Sequence, residues 1–181
     1  MWNTWVGALV GAIPPVIGCV AASGSIGIDA LLLGGLLYCW QFPHFNSLSW
    51  RLTGDYARAG YQMASVLNPQ LALNAALCHS LALFPLSYGL VWTGLCSNAL
   101  LIDSTMLNGA MLYLSFLFQR SPGKGVARQL FFFSLIHLPL LLISVLIHRN
   151  NKMGKHEVEA NPSRLTSDDV TPSSYHTQKV I

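Results

Sequence analysis

Five apolar runs, each long enough to cross a bilayer, follow one another between Thr4 and Ile147, and this succession leaves few folds open to the chain. In lipid every backbone polar group must find its partner inside the protein, so such runs can only be helices packed side by side. The expected fold is all-α: a polytopic transmembrane helix bundle of about five spans over residues 1–148, followed by a polar tail over 149–181. Charge is distributed to match. Through His148 there are five Lys/Arg and three Asp, whereas the 33 residues from Arg149 onward hold five basic and four acidic side chains. Only 9% of the 181 residues are charged, against about 25% in soluble domains. The net charge of +3 lies on no basic face, so membrane lipid is the expected surrounding and no nucleic acid is expected as a partner. The tail has too little apolar content to offset its ordering entropy and reads as disordered.

The four cysteines (19, 39, 78 and 96) show no metal-type spacing and read as small buried hydrophobes. Met1-Trp2-Asn3 carries neither a positive n-region nor an Arg-rich leader, which a full-length organellar or exported protein would need. The first run, about Thr4 to Ala22, contains Gly7, Gly11 and Gly18, a small-residue face suited to close helix packing, and Pro14-Pro15, which remove backbone donors. The second runs from about Asp29 to Trp50, with Asp29 favoured at a helix start. The third, Gln70 to about Trp92, carries Asn74, His79 and Pro85; His79 reads as an interhelical hydrogen bonder. Asp103-Ser104-Thr105 reads as the start of the fourth. A basic connector, Arg120 to Arg128, precedes the fifth, about Gln129 to Ile147. The second and fourth connectors then share one face. They hold Arg51, Arg58, Arg120, Lys124 and Arg128, so the positive-inside rule puts the Asp55 loop on the cytoplasmic or matrix side.

The greatest departure from hydrophobicity falls between Trp40 and Met63. Laid on one helix, Gln41, His44, Leu48, Arg51, Asp55 and Arg58 share an arc of roughly 100°, approximate because Pro43 kinks the helix. Polar groups facing lipid are costly, so this stripe should face protein, water or a ligand. A single carboxylate beside two arginines has three readings. Asp55 can pair with Arg51 at i−4 or Arg58 at i+3 and fix the loop. It can hold Mg²⁺ bridged to phosphate, with the arginines on the phosphate oxygens. It can belong, with His44, to a proton or ion path. Trp40, Phe42, Phe45, Trp50, Tyr56 and Tyr61 around the stripe suit an apolar ligand groove that stabilises a carbocation, and equally an interfacial aromatic belt.

The chain also resembles a known family. Asn3-Thr4-x-x-Gly7-x-x-x-Gly11-Ala12-x-Pro14-Pro15-x-x-Gly18, Trp40-Gln41-x-Pro43-His44-Phe45, and Asp55-Tyr56-x-x-Ala59-Gly60-Tyr61-x-Met63 are similar to the haem O synthases (protohaem IX farnesyltransferases) of the intramembrane UbiA-type prenyltransferases. Ser134-Leu135-x-His137-Leu138-Pro139-Leu140-Leu141 resembles the mitochondrial members. The resemblance covers residues 1 to about 148 and implies part of a roughly nine-span bundle around a cavity. It implies farnesyl transfer from farnesyl diphosphate to haem b, giving haem O for cytochrome c oxidase, in the mitochondrial inner membrane with the Asp55 loop facing the matrix. On this reading Asp55 binds Mg²⁺ and diphosphate, assisted by Arg51 and Arg58, while His44, Gln41, Trp40, Tyr56 and Tyr61 are substrate contacts. Haem A synthase or oxidase assembly factors are the protein partners it allows. The resemblance covers the second half of such an enzyme. The family's first aspartate motif is not among these residues, so the polypeptide alone is expected not to transfer farnesyl. A non-catalytic membrane protein that binds haem or helix partners is the alternative, and an ion transporter a further one.

Overall fold

The computed structural model describes residues 3–150, and over them the chain is helical with short connections. Five long helices, α1 (Asn3–Ser23), α2 (Ile28–Arg51), α5 (Pro69–Trp92), α6 (Ala99–Arg120) and α7 (Lys124–Ile147), are joined by turns and by two short helices, α3 (Thr53–Arg58) and α4 (Ala64–Leu67). Helices α2, α5, α6 and α7 pack as a ring in that order, with α7 closing back on α2, and α1 lies against α2. Four helices, α1, α5, α6 and α7, are long and apolar enough to cross a membrane. Helix α2 is as long, but Gln41, His44, Asn46, Ser47 and Ser49 make its second half polar. All five of those side chains are buried. Of the five expected spans, then, the one at the centre is the one its own hydropathy would not carry.

Apolar burial gives helices little reason to associate in lipid, so packing and interhelical hydrogen bonds must hold the ring. Each interface has such a bond. Gln41 Nε2 donates to Ala8 O of α1 at 3.1 Å, and Asn46 Nδ2 donates to Ala72 O of α5 at 3.0 Å. Ser80 and Ser115 join α5 to α6 at 2.7 Å. Deeper between the same helices, Asn108 Nδ2 donates to Ser87 Oγ at 3.0 Å, and Asn108 Oδ1 lies 3.1 Å from His137 Nε2 on α7. With Asn108 Oδ1 accepting, His137 carries its proton on Nε2, and its Nδ1 is left buried without a partner.

Glycine supplies the close approaches, though not as one face of α1. A Cβ at Gly34 would sit 2.7 Å from Val16 Cγ2, and one at Gly89 would sit 2.8 Å from Leu32, so α2 touches α1 and α5 through these positions. On α1 itself only Gly11 is covered, by the Gln41 side chain; Gly7 and Gly18 meet nothing. Spacing marks a small face but not the neighbour that uses it.

Four further expectations are corrected. Helix α6 starts at Ala99, so Asp103 is in its second turn. It remains half-exposed and accepts from His148 Nε2 at 2.9 Å. Helix α7 starts at Lys124, making the basic stretch shorter as a connector and longer as a helix. His79 forms no interhelical hydrogen bond: its Nδ1–H donates to Ala75 O of its own helix at 2.8 Å, and it meets α2 by stacking on Phe42 with centroids 3.5 Å apart. All four cysteines are free; Cys39 and Cys96 are buried, but Cys78 is exposed. The tail expected over 149–181 lies, from residue 151, outside the described residues.

Candidate functional site

The polar stripe of α2 does not continue into Asp55. Thr53 Oγ1 donates to Ser49 O at 3.0 Å and to Trp50 O at 2.9 Å, occupying carbonyls at the helix end. The helix stops at Arg51, capped by Leu52, and α3 begins at Thr53. Asp55 and Arg58 therefore belong to a short helix of their own and not to the one that holds Gln41, His44 and Arg51. Within the arc the side chains also part company: Gln41 serves α1, and His44 serves α7.

His44 is held on several sides. Its Nδ1 lies 2.8 Å from Ser134 Oγ, and that hydroxyl donates to Phe131 O at 2.6 Å. With the hydroxyl proton so used, Nδ1–H donates to Oγ and the lone pair is on Nε2. The imidazole is sandwiched between Trp40 (centroids 4.7 Å, 18° between planes) and Phe131 (4.9 Å, 25°). Trp40 is fixed in turn by its indole N–H, which donates to Ser134 O at 3.0 Å. Sequence placed Trp40 and His44 together, but their shared partner Ser134, 90 residues from His44, had no local signal beyond its place in the Ser134–Leu141 motif.

Beyond Phe131 the stack reaches Arg51, whose guanidinium carbon is 5.5 Å from the Phe131 centroid and 5.9 Å from that of Phe132. Arg128 approaches Phe132 at 5.7 Å. Arg51, Leu52, Lys124, Gly125 and Arg128 line an open depression of about 390 Å³ at this end of the ring. Lys124 and Arg128 are four residues apart on α7 and so share one face. Among the described residues no salt bridge engages any of these three cations. Sequence reasoning missed Lys124 and Arg128 as site residues by assigning them to a connector; their i,i+4 spacing after Gly123 was the available sign.

Asp55 sits apart from that depression. It pairs with Arg58, the i+3 partner, and not with Arg51. Both side chains are well exposed, at 61% and 82%, so the pair contributes little to stability. Tyr56 and Tyr61 meet edge to face at 6.0 Å beside it, and Tyr61 N–H donates to Tyr56 O at 2.9 Å. No group of three or more His, Cys, Asp or Glu converges on a metal position among the described residues.

The profile of the UbiA prenyltransferase family matches residues 1–136. The chain belongs to the UbiA prenyltransferase family. Among curated UbiA-family relatives, it is 51% identical to the mitochondrial protoheme IX farnesyltransferase of Homo sapiens over 144 residues, covering 80% of this chain and 32% of that protein. It is 48% identical to the Pongo abelii protein of the same name over 152 residues (84% and 34%). Identity to the Emericella nidulans protein of that name is 41% over 162 residues (80% and 32%). The chain thus spans about a third of the length of the curated relatives it matches. No solved structure matches it.

Proposed function

We propose that this chain takes part in farnesyl transfer from farnesyl diphosphate to haem b, forming haem O for cytochrome oxidase in the mitochondrial inner membrane. The observation that carries the proposal is the exposed Asp55–Arg58 pair that directly follows a central helix, α2, whose second half is polar and buried. Protoheme, farnesyl transfer and the mitochondrion are in the relatives' names; the diphosphate donor, the product haem O and the inner membrane follow from the family resemblance. A diphosphate leaving group develops negative charge as the C–O bond to farnesyl breaks, and fixed cations stabilise that charge. Asp55 would supply one oxygen to a Mg²⁺ ion bridged to diphosphate, and that ion would neutralise charge on the leaving group. Arg58, already on the Asp55 carboxylate, is placed to take a phosphate oxygen. The edge of the Trp40–His44–Phe131 stack is the aromatic surface that a porphyrin or prenyl chain would meet. The Asp55 loop is assigned to the matrix side, where the basic connectors belong.

Purified chain in lipid nanodiscs should bind farnesyl diphosphate only with Mg²⁺, and Asp55→Asn should abolish the Mg²⁺ dependence. Isothermal titration reads both. Binding that ignores Mg²⁺ and Asp55 would remove the prenyltransferase reading. Assaying haem O formation from haem b and farnesyl diphosphate tests the remaining expectation, that the 181 residues alone give no turnover. Robust Asp55-dependent turnover would overturn that part.

A further inference from the structure

Helices α1 and α7 both pack on α2 but share no comparable interface with each other, so the face of α2 between them is the floor of a cleft. Two side chains on that face mark its walls. Gln41 reaches α1 through Ala8 O, and His44, three residues on, reaches α7 through Ser134 Oγ. Arg51 lies two turns further along α2, roughly 10 Å nearer the end where Asp55 follows.

His44 is prepared differently from the other two histidines inside the bundle. Its Nδ1–H is committed to Ser134 Oγ, whose own proton goes to Phe131 O, so a second helix fixes the tautomer. Nε2 is left with a lone pair and no partner among the described residues. It is not sealed: the fully buried, unpartnered imidazole nitrogen is His137 Nδ1. His44 keeps 9% of its surface exposed, His137 none. His79 is turned only by Ala75 O of its own helix, α5. One imidazole thus combines a fixed tautomer, a clamped ring and an open lone pair.

Farnesyl transfer to a vinyl group has a use for such a group. The C1–O bond of farnesyl diphosphate breaks with its electron pair on the diphosphate. The vinyl π pair forms the new bond from the terminal carbon to C1, and the inner vinyl carbon becomes cationic. Either a water forms a C–O bond there and sheds a proton, or the adjacent carbon loses a proton and a double bond returns. One proton leaves in both cases, so the reaction needs a base beside the vinyl carbons. Asp55 is already paired with Arg58.

Resting on the farnesyl-transfer reading above, we propose that His44 Nε2 is the general base of the reaction, taking the proton released when the vinyl-derived cation is quenched in the cleft between α1 and α7. Ser134 is the positioning residue that holds its tautomer. Taking the proton makes His44 an imidazolium, and the Trp40 and Phe131 faces on either side of the ring stabilise that charge. The sandwich therefore favours the state that follows proton transfer as well as fixing the ring.

The test measures haem O formation from farnesyl diphosphate and protohaem in native membranes carrying each variant, where the chain's natural partners are present. His44→Asn keeps an amide that can donate to Ser134 Oγ but has no basic nitrogen. Its kcat should fall about 100-fold or more, with KM for farnesyl diphosphate within about twofold of wild type. Ser134→Ala should lower kcat about tenfold, again with KM unchanged. His79→Asn should match wild type. A second readout needs neither turnover nor a variant. Diethyl pyrocarbonate acylates imidazole lone pairs, and peptide mass spectrometry of the purified wild-type chain in nanodiscs should find His44 modified and His137 untouched. Farnesyl diphosphate with Mg²⁺ and protohaem should protect His44 and not His79. Full turnover in His44→Asn, a loss confined to KM, or a wild-type His44 that is unreactive or unprotected would each overturn the assignment. If Asp55→Asn abolishes turnover and His44→Asn does not, the base assignment falls and the farnesyl-transfer reading stands. If neither substitution affects turnover, both fall.

Discussion

Where α5 turns into α6, Asp103 accepts from His148, Ser97 N–H donates to His148 O at 2.8 Å, and Cys96 pairs with Arg149 in a single backbone bridge. At the opposite end Arg51, Lys124 and Arg128 face one another across a depression with no carboxylate in its lining. The first end ties its charge to the fold, because Asp103 has a partner on the neighbouring helix. At the second, Arg51 and Arg128 lie over the rings of Phe131 and Phe132 with no carboxylate to pair with. In a chain with so few ionisable groups, the difference is between an end where an acid meets its partner and an end where three cations have no acid beside them. Between the ends, the Asn108–His137–Ser87 cluster shows how the middle is held, by neutral polar groups that bond to each other and to backbone.

Four measurements would break or sharpen this contrast. The largest effect belongs to the middle: Asn108→Leu should cost about 2 kcal/mol in detergent unfolding, because it strips His137 Nε2 of its acceptor and removes a donor from Ser87. At the closed end, Asp103→Asn should cost up to about 1 kcal/mol, and a null result would mean the His148 contact holds nothing. At the open end, Lys124→Gln should change unfolding free energy by less than about 0.5 kcal/mol. A substantial loss there would show that the cation is structural and collapse the contrast. The smallest effect concerns pH. Burial, reinforced by Asp29 and partly offset by Arg149, raises the Cys96 thiol above its ordinary value of 9.0. The unfolded chain then loses that proton first. The stabilising contribution is whole below pH 9 and fades as pH climbs through the raised value. Unfolding midpoints of wild type and Cys96→Ala should therefore converge at high pH.

Helix content and the order of the long helices were legible because hydropathy and length alone decide them in lipid. Proline did not interrupt them: α1 runs through Pro14-Pro15 and α2 through Pro43. The site was only half legible. Arg51 and Asp55 are four residues apart and would be neighbours on one helix, but α2 ends at Arg51 and α3 begins at Thr53, a break that a periodicity count does not show. Lys124 and Arg128 resemble loop residues by charge, yet Gly123 precedes a helix that contains both. Gln41 and His44 were correctly singled out as buried polar groups. Which neighbour each would face depended on Ala8 and Ser134, contacts set by tertiary packing alone.

The polarity of α2 bears on how the protein is made. A segment with Gln41, His44, Asn46, Ser47 and Ser49 in its second half gains little by partitioning into hydrocarbon on its own, and its bonding partners Ala8, Ala72 and Ser134 come from both earlier and later in the chain. Its neighbours α1, α5 and α7 must supply the solvent it lacks, so stable residence of α2 in the bilayer waits until α7 has been synthesised. Biogenesis should thus have a late checkpoint, at which a chain stalled before Ser134 leaves its central helix poorly anchored and open to membrane proteases.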